Sequence, residues 1–201
     1  MFGLGRLRRY FKYRQVARIH HKHRQFHANS YHRIDTILEI FRTAGGLKHD
    51  YQAYKLYSLR EILYAKRPRR ILELGTGTTT AVFADYVREC GGELWSVDES
   101  IDWLANSRRL ASIEDGDDRF HLLHAAKLSQ KGEDGRPVAI GYDIEWGDEV
   151  FDLILVDGPS LWVDGVRYRQ AINPDIFDIF NCNPPHTILV DIRASTVNAI
   201  T

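Results

Sequence analysis

From about residue 51 the chain alternates helix-forming stretches with short apolar strands, and each core strand but one ends at a glycine or an aspartate. Tyr51–Ala65 carries Tyr54, Leu56, Tyr57, Leu59, Ile62 and Leu63 at helical spacing, with Pro68 just beyond. Arg70–Leu74 reads as a strand running into Gly75-Thr76-Gly77, and Thr78–Cys90 as a helix stopped by Gly91-Gly92. Glu93–Val97 is a second strand ending at Asp98, Ile101–Ile113 a helix, and Arg119–His124 a third strand. Lys127–Gly147, rich in glycine and charge, reads as a loop insertion. Phe151–Val156 is a strand ending at Asp157-Gly158-Pro159. Leu161–Ala171 and Asp175–Phe180 read as helices, the second opened by Asn173 as N-cap and Pro174 at the first helical position. Thr187–Val190 is a fifth strand ending at Asp191. Such alternation argues for βαβ units and a doubly wound, mostly parallel α/β sheet with helices on both faces. Near-continuous apolar strands fit burial on both sides.

Charge divides the chain before this point. The 27 Lys and Arg balance the 27 Asp and Glu over 201 residues. Residues 1–34, however, hold nine of the basic residues and no acid, so the remainder carries a net charge of −9. Five of the nine histidines also lie in that basic segment. The chain is therefore read as a basic helical arm over residues 1–50 and an α/β domain over 51–201. In the arm, Leu4, Leu7, Phe11, Val16 and Ile19 form a partial apolar stripe among arginines. That pattern suits an anionic membrane surface or docking on the acidic body, and nucleic acid is not favoured. His23 and His27 have helical ligand spacing but no cysteine or acid nearby, so they read as a solvated basic face.

Composition narrows the class further. With 44% hydrophobic and 27% charged residues the chain is neither a disordered tail nor a coiled-coil rod. Two cysteines, Cys90 and Cys182, exclude a disulfide framework. No apolar run approaches the ~18 residues of a membrane span, and no secretory h-region follows the N-terminal charges. A cytoplasmic location, peripheral at a membrane through the arm, is expected.

In a doubly wound sheet, ligands bind outside the carboxyl ends of the strands, at the switch in strand order. The residues standing there are Gly75-Thr76-Gly77, Asp98, Ala125-Ala126, Asp157 and Asp191. Glycines let the backbone turn tightly beside a ligand, and the helix start behind them offers unpaired N–H groups. Asp98, 21 residues after Gly77, can accept hydrogen bonds from the vicinal hydroxyls of a ribose. Together these point to a nucleoside-containing ligand. A dinucleotide fingerprint would put glycine or alanine where Thr80 stands.

At these residues the chain resembles the class I S-adenosylmethionine-dependent methyltransferases. Glu73-Leu74-Gly75-Thr76-Gly77-Thr78-Thr79 is similar to their first motif, Asp98 to their second-strand acid, and Phe151–Pro159 to their fourth motif. Thr187–Asp191 is similar to their fifth strand. The resemblance implies a Rossmann-like fold and methylation of the O or N atom of a small-molecule or sugar-like acceptor. It implies that Gly75, Thr76 and Gly77 wrap the cofactor and that Asp98 holds its ribose. Glu99 and Ser100 would border the adenine, as would Ala126, at a position where a polar residue is usual. Glu73 would shape the loop or meet the cofactor's amino group through water. Asp157 would lie beside the transferring methyl group and serve as base. Asp157 and Asp191 match two metal ligands of some members, but Ile192 stands where a third is expected, so no metal is assigned. Trp95 and Trp103 are expected to pack, and Trp162 to face the acceptor. The family's sixth and seventh strands are expected to be absent, so that the sheet edge is left open, is covered by a homodimer partner, or is lost to truncation of the sequence. The alternatives are a non-catalytic binding protein on this fold and a nicotinamide-type oxidoreductase.

Overall fold

The computed structural model describes residues 18, 19, 21, 22, 24, 25, 28–44, 52–191 and 193–200. It divides into two compact units, Met1–Ala65 and Lys66–Thr201. Leu4, Leu7, Phe11 and Val16 of the apolar stripe, the His23/His27 pair and Ile192 lie outside the described residues.

The first unit contains helix α1 (Ala28–Thr43) and most of helix α2 (Gln52–Lys66). Tyr31, Ile34, Leu38 and Phe41 recur every three or four residues on α1, and all four are buried. Leu56, Tyr57, Leu59 and Leu63 are the matching buried set on α2. Tyr31 stacks on Tyr57 with ring centroids 4.2 Å apart. Ahead of α1, the described residues Arg18, Ile19, His21, Lys22, Arg24 and Gln25 are exposed. No helix among the described residues is long and apolar enough to cross a membrane.

The second unit is a three-layer α/β fold. Its strands and helices run β1 (Arg70–Leu74), α3 (Thr78–Cys90), β2 (Glu93–Asp98), α4 (Ile101–Leu110) and β3 (Phe120–His124). A hairpin of β4 (Lys127–Lys131) and β5 (Pro137–Tyr142) follows, then β6 (Leu153–Val156). A small hairpin of β7 (Trp162–Val163) and β8 (Val166–Arg167) precedes α5 (Asp175–Cys182), β9 (Thr187–Val190) and α6 (Ala194–Ile200). Five strands form one parallel sheet in the order β3-β2-β1-β6-β9. This is the Rossmann-like order, with its switch between β1 and β6. Leu72, Leu74, Val97, Ile154 and Val156 from the central strands pack with Phe151 and Ile176 in one core cluster.

Three expectations need correction. Lys127–Gly147 is not a plain loop, because β4 and β5 pair antiparallel from Lys127↔Tyr142 to Lys131↔Pro137. β4 is almost wholly exposed, so it lacks the apolar alternation by which strands are read. Leu161–Ala171 is not a helix. Asp164 (φ +50°) and Gly165 (φ +75°) form a two-residue hairpin turn between Val163 and Val166, which pair across it. Asn173 is not the N-cap of α5. The helix begins at Asp175 after Pro174, and the Asn173 side chain turns inward to the Gly158 carbonyl.

Candidate functional site

The loops after β1 and β6 meet at the switch in strand order. Leu74 ends β1, and Gly75 follows with φ +96°, its amide donating to the Val97 carbonyl at 2.8 Å. A Cβ on Gly75 would lie 2.4 Å from the Gly158 nitrogen, and one on Gly158 would lie 2.6 Å from the Gly75 Cα. The two glycines therefore pack backbone to backbone. The amides of Asp157 (2.8 Å) and Gly158 both donate to the Leu74 carbonyl. Gly77 faces open space, with the Trp103 indole nitrogen nearest at 4.0 Å from a Cβ built there.

Beneath this loop lies Glu73, fully buried in β1 and in register with Ser96 of β2. Its carboxylate accepts hydrogen bonds from the hydroxyls of Thr79, Thr80 (2.7 Å) and Ser96 (2.6 Å). Thr80 in turn accepts from the Gly77 amide at 2.8 Å. The chain Gly77–Thr80–Glu73 thus fixes the start of α3 from below. Burial pushes the Glu73 carboxyl up to about 7, against the three hydroxyls that hold it down.

Asp98 closes the loop from the β2 side. One oxygen accepts from the Thr76 amide (3.0 Å) and hydroxyl (3.1 Å), and the other from the Ser100 amide (2.9 Å). Burial raises its pKa, opposed by the Ser100 and Thr76 amides. Trp103 on α4 donates its indole N–H to the Thr76 carbonyl at 2.8 Å, so it anchors the glycine loop. Glu99 reaches across to the β6 loop. It accepts from the Ser160 amide at 3.0 Å and stands 3.8 Å from the Lys127 ammonium.

The β6 loop is held from distant parts of the chain. Asp157 is exposed at its start. The Asn173 side-chain amide donates to the Gly158 carbonyl at 3.1 Å, and the Arg193 guanidinium donates to the Pro159 carbonyl. Lys127 donates to the Ser160 hydroxyl (3.0 Å) and the Trp162 carbonyl (2.7 Å). Arg193 is only 3% exposed, and burial lowers its pKa against the pull of Tyr142, Asp157, Asp175 and Glu99. Asp175, its carboxylate 3.2 Å from the Tyr142 amide, is pushed by burial up to about 6. The β6 loop therefore rests on a buried guanidinium that donates to the Pro159 carbonyl.

Glu73, Gly75, Thr76, Gly77, Asp98 and Asp157 come together around the end of β1. Glu99 borders this group but is engaged with the β6 loop. Ala126 is exposed, its carbonyl accepting from the Asp143 amide at 2.7 Å. Asp191 follows β9, its amide donating to the Val156 carbonyl at 2.9 Å. Trp162 is exposed. No group of three or more His, Cys, Asp or Glu suited to a metal occurs among the described residues. The sequence reading missed the loop-holding roles of Trp103, Lys127, Asn173 and Arg193, which lie outside the glycine and acid motifs. Chemically, the edge offers a glycine cradle, a helix start, two carboxylates beside it and an exposed acid.

No protein-family model matches the chain, and no curated protein matches it. Among solved structures it is similar to the SAH-bound methyltransferase PaMTH1 of Podospora anserina, at 19% identity and a TM-score of 0.42. That match covers 69% of this chain and 60% of the other. It is also similar to a proposed caffeoyl-CoA O-methyltransferase from Staphylococcus aureus, at 13% identity and a TM-score of 0.46, covering 79% and 65% of the two chains. A third is YjhP from E. coli, at 22% identity and a TM-score of 0.33, covering 52% and 36%. The chain thus spans less than two thirds of the length of each of these proteins.

Proposed function

We propose that the protein is an S-adenosylmethionine-dependent methyltransferase acting on an O or N atom of a small-molecule acceptor. The observation that carries this reading is the cradle at the β1–β6 switch, where Gly75 packs on Gly158 and Asp98 is tied to Thr76. The cradle fits a nucleoside-bearing cation. Gly77 leaves room for close approach, and the α3 start at Thr78 lies behind it. A carboxylate has about four acceptor positions. Asp98 uses three, so a ribose hydroxyl takes the fourth and another displaces the Thr76 hydroxyl.

The bound cofactor supplies an already activated methyl group, so the protein's task is chiefly to position the acceptor. Asp157, exposed beside the cradle, takes the proton from the attacking hydroxyl or amine. The Glu73 carboxyl lies under the loop and acts on the cofactor only through Thr80 and the Gly77 amide. No metal is assigned. The domain division at residue 50, homodimerisation and membrane docking of the basic arm belong to this reading as expectations.

Calorimetry with S-adenosylhomocysteine and, separately, with NAD tests it. Saturable binding of the first and not the second is expected. Asp98→Ala should weaken that binding at least tenfold, while Asp157→Asn should leave binding intact and reduce turnover. Binding of NAD instead points to the oxidoreductase alternative, and binding of neither by folded protein would falsify both enzyme readings.

A further inference from the structure

The segment that leaves Asp157 does more than connect β6 to α5. It folds into the β7–β8 hairpin and runs on beside β5, with the Ile172 amide donating to the Val138 carbonyl (3.0 Å) and the Ile140 amide to the Ile172 carbonyl (2.9 Å). Between this segment and the start of β5 lies a groove of about 650 Å³. Arg136, Arg167 and Arg169 line it, along with Tyr168, Val138 and Val166. Asp134 is the single acid in its lining.

The charge of this groove runs against its surroundings, since residues 35–201 carry an excess of nine acids. Arg136 pairs only loosely with Asp134, at 3.8 Å with both side chains mostly exposed. Such a pair contributes little and opens readily. Arg167 and Arg169 are exposed, and neither side chain has an acid partner among the described residues. Val138 and Val166 are about half exposed, at 51% and 52%, and form an apolar wall beside the guanidinium groups. Guanidinium forks matched to an apolar wall suit an oxyanion attached to a hydrophobic or aromatic body.

The groove is also tied to the candidate site. Trp162 stands five residues after Asp157 and pairs across the hairpin with Arg167. Extended chain and one strand spacing limit the Asp157–Arg167 Cα separation to about 23 Å. Lys127 fastens Ser160 and Trp162 in between, so groove and Asp157 lie at two ends of one anchored segment.

We infer that this groove binds the oxyanion of the acceptor, a phosphate or carboxylate borne on an apolar or aromatic scaffold whose nucleophilic atom reaches Asp157. The inference rests on the methyltransferase reading. Arg167 and Arg169 clamp the oxyanion, Arg136 exchanges Asp134 for it, and Tyr168 with the two valines covers the scaffold.

The test is titration of the full chain with phenyl phosphate and with benzoate, alone and with saturating S-adenosylhomocysteine. The expected result is saturable binding of one or both, unaffected by the cofactor product. The double variant Arg167→Gln/Arg169→Gln should weaken it at least tenfold while S-adenosylhomocysteine binding stays within twofold. The two probes distinguish a phosphate from a carboxylate site. Absence of saturable binding, equal affinity in the variant, or displacement by S-adenosylhomocysteine overturns the inference. Arginine-dependent phenyl phosphate binding without any S-adenosylhomocysteine binding leaves an anion site but removes its role in acceptor recognition, and it sinks the methyltransferase reading separately.

Discussion

The loops after β1 and β6 touch at one point of the sheet, yet they are held in different ways. The β1 loop is fixed in part by its own neighbours, since Thr80 holds the Gly77 amide and Glu73 holds Thr80, and in part by Asp98 and Trp103 of the adjacent strand and helix, which hold Thr76. The β6 loop is fixed by residues far along the chain. Asn173 holds Gly158, Arg193 holds Pro159, and Glu99 and Lys127 hold Ser160. A loop built from local bonds is preorganised as soon as its strand and helix form. A loop built from distant side chains is shaped only when β4 and the segments leading into α5 and α6 have docked. On the proposed function, this would make the β1 loop the preorganised cofactor cradle and the β6 loop the more variable, acceptor-side one.

The most severe way to break this arrangement is at the contact itself. Gly75→Ala sets a Cβ 2.4 Å from the Gly158 nitrogen, and backbone φ of +96° disfavours any side chain there. Overpacking and an unfavourable φ each cost about 1–3 kcal/mol, so a loss of about 2–6 kcal/mol is expected. That is a large share of a typical domain stability of ~5–15 kcal/mol. Urea unfolding of the purified variant measures it, and a loss below ~1 kcal/mol would show that the loops do not meet as described.

Next in size is the pH dependence set by Glu73. Its folded pKa of about 7 stands above the model-peptide value of 4.5. The unfolded chain therefore gives up this proton first, and the group's contribution is complete below pH 4.5 and lost as pH rises through about 7. Asp175, raised to about 6, acts in the same direction. The Glu73 contribution is on the order of 3 kcal/mol across that window. Glu73→Gln should flatten the fall in stability between pH 5 and 8, measured by denaturant unfolding at each pH. An unchanged slope would mean that the carboxyl is not buried as found.

The far-held loop should respond more weakly. Asn173→Ala removes the donor to the Gly158 carbonyl and leaves that carbonyl without it inside the fold. A cost of about 1–3 kcal/mol follows, since a buried carbonyl deprived of its partner is penalised. The informative readout is paired: unfolding stability falls, while S-adenosylhomocysteine affinity changes less than it does in Asp98→Ala. A larger effect on cofactor binding would erase the distinction between the two loops.

The same distinction explains what could be read from the chain. The β1 loop was legible because glycine, a following helix and an acid one strand later are local, and each carries its reason in its residue type. Apolar runs such as Leu153–Val156 announced buried parallel strands in the same way. The role of Glu73 stayed open, because burial under three hydroxyls depends on Ser96 lying in register one strand away. Asn173 misled: beside Pro174 it has the composition of a cap, but the space beneath Gly158 drew its side chain inward. Val163-Asp164-Gly165-Val166 holds the signal of a two-residue turn, Asp-Gly between two β-branched residues, and that signal contradicts a helix over Leu161–Ala171. Arg193 gave no sign, since nothing local to it shows that its guanidinium is buried against the Pro159 carbonyl.

The smallest expected effect sharpens the comparison most finely. Lys127 joins Glu99 of the β2 edge to Ser160 and Trp162 of the segment after β6, and it is partly solvent-exposed. Lys127→Met should cost less than about 1 kcal/mol, because water replaces much of what a partly exposed ammonium loses. Its consequence is local. The Ser160 amide donates to Glu99, and Lys127 holds the same carboxylate and the Ser160 hydroxyl, so removing the ammonium loosens both ends of that bond. Hydrogen exchange at the Ser160 amide should quicken severalfold in Lys127→Met, with the Gly75 and Gly77 amides unchanged. Glu99→Gln should quicken Ser160 similarly, and the double variant should add little, as expected of residues acting through one contact. Faster exchange at Gly77 in either variant would mean that the two loops form a single cooperative unit, and their different anchoring would then have no consequence for how the site opens.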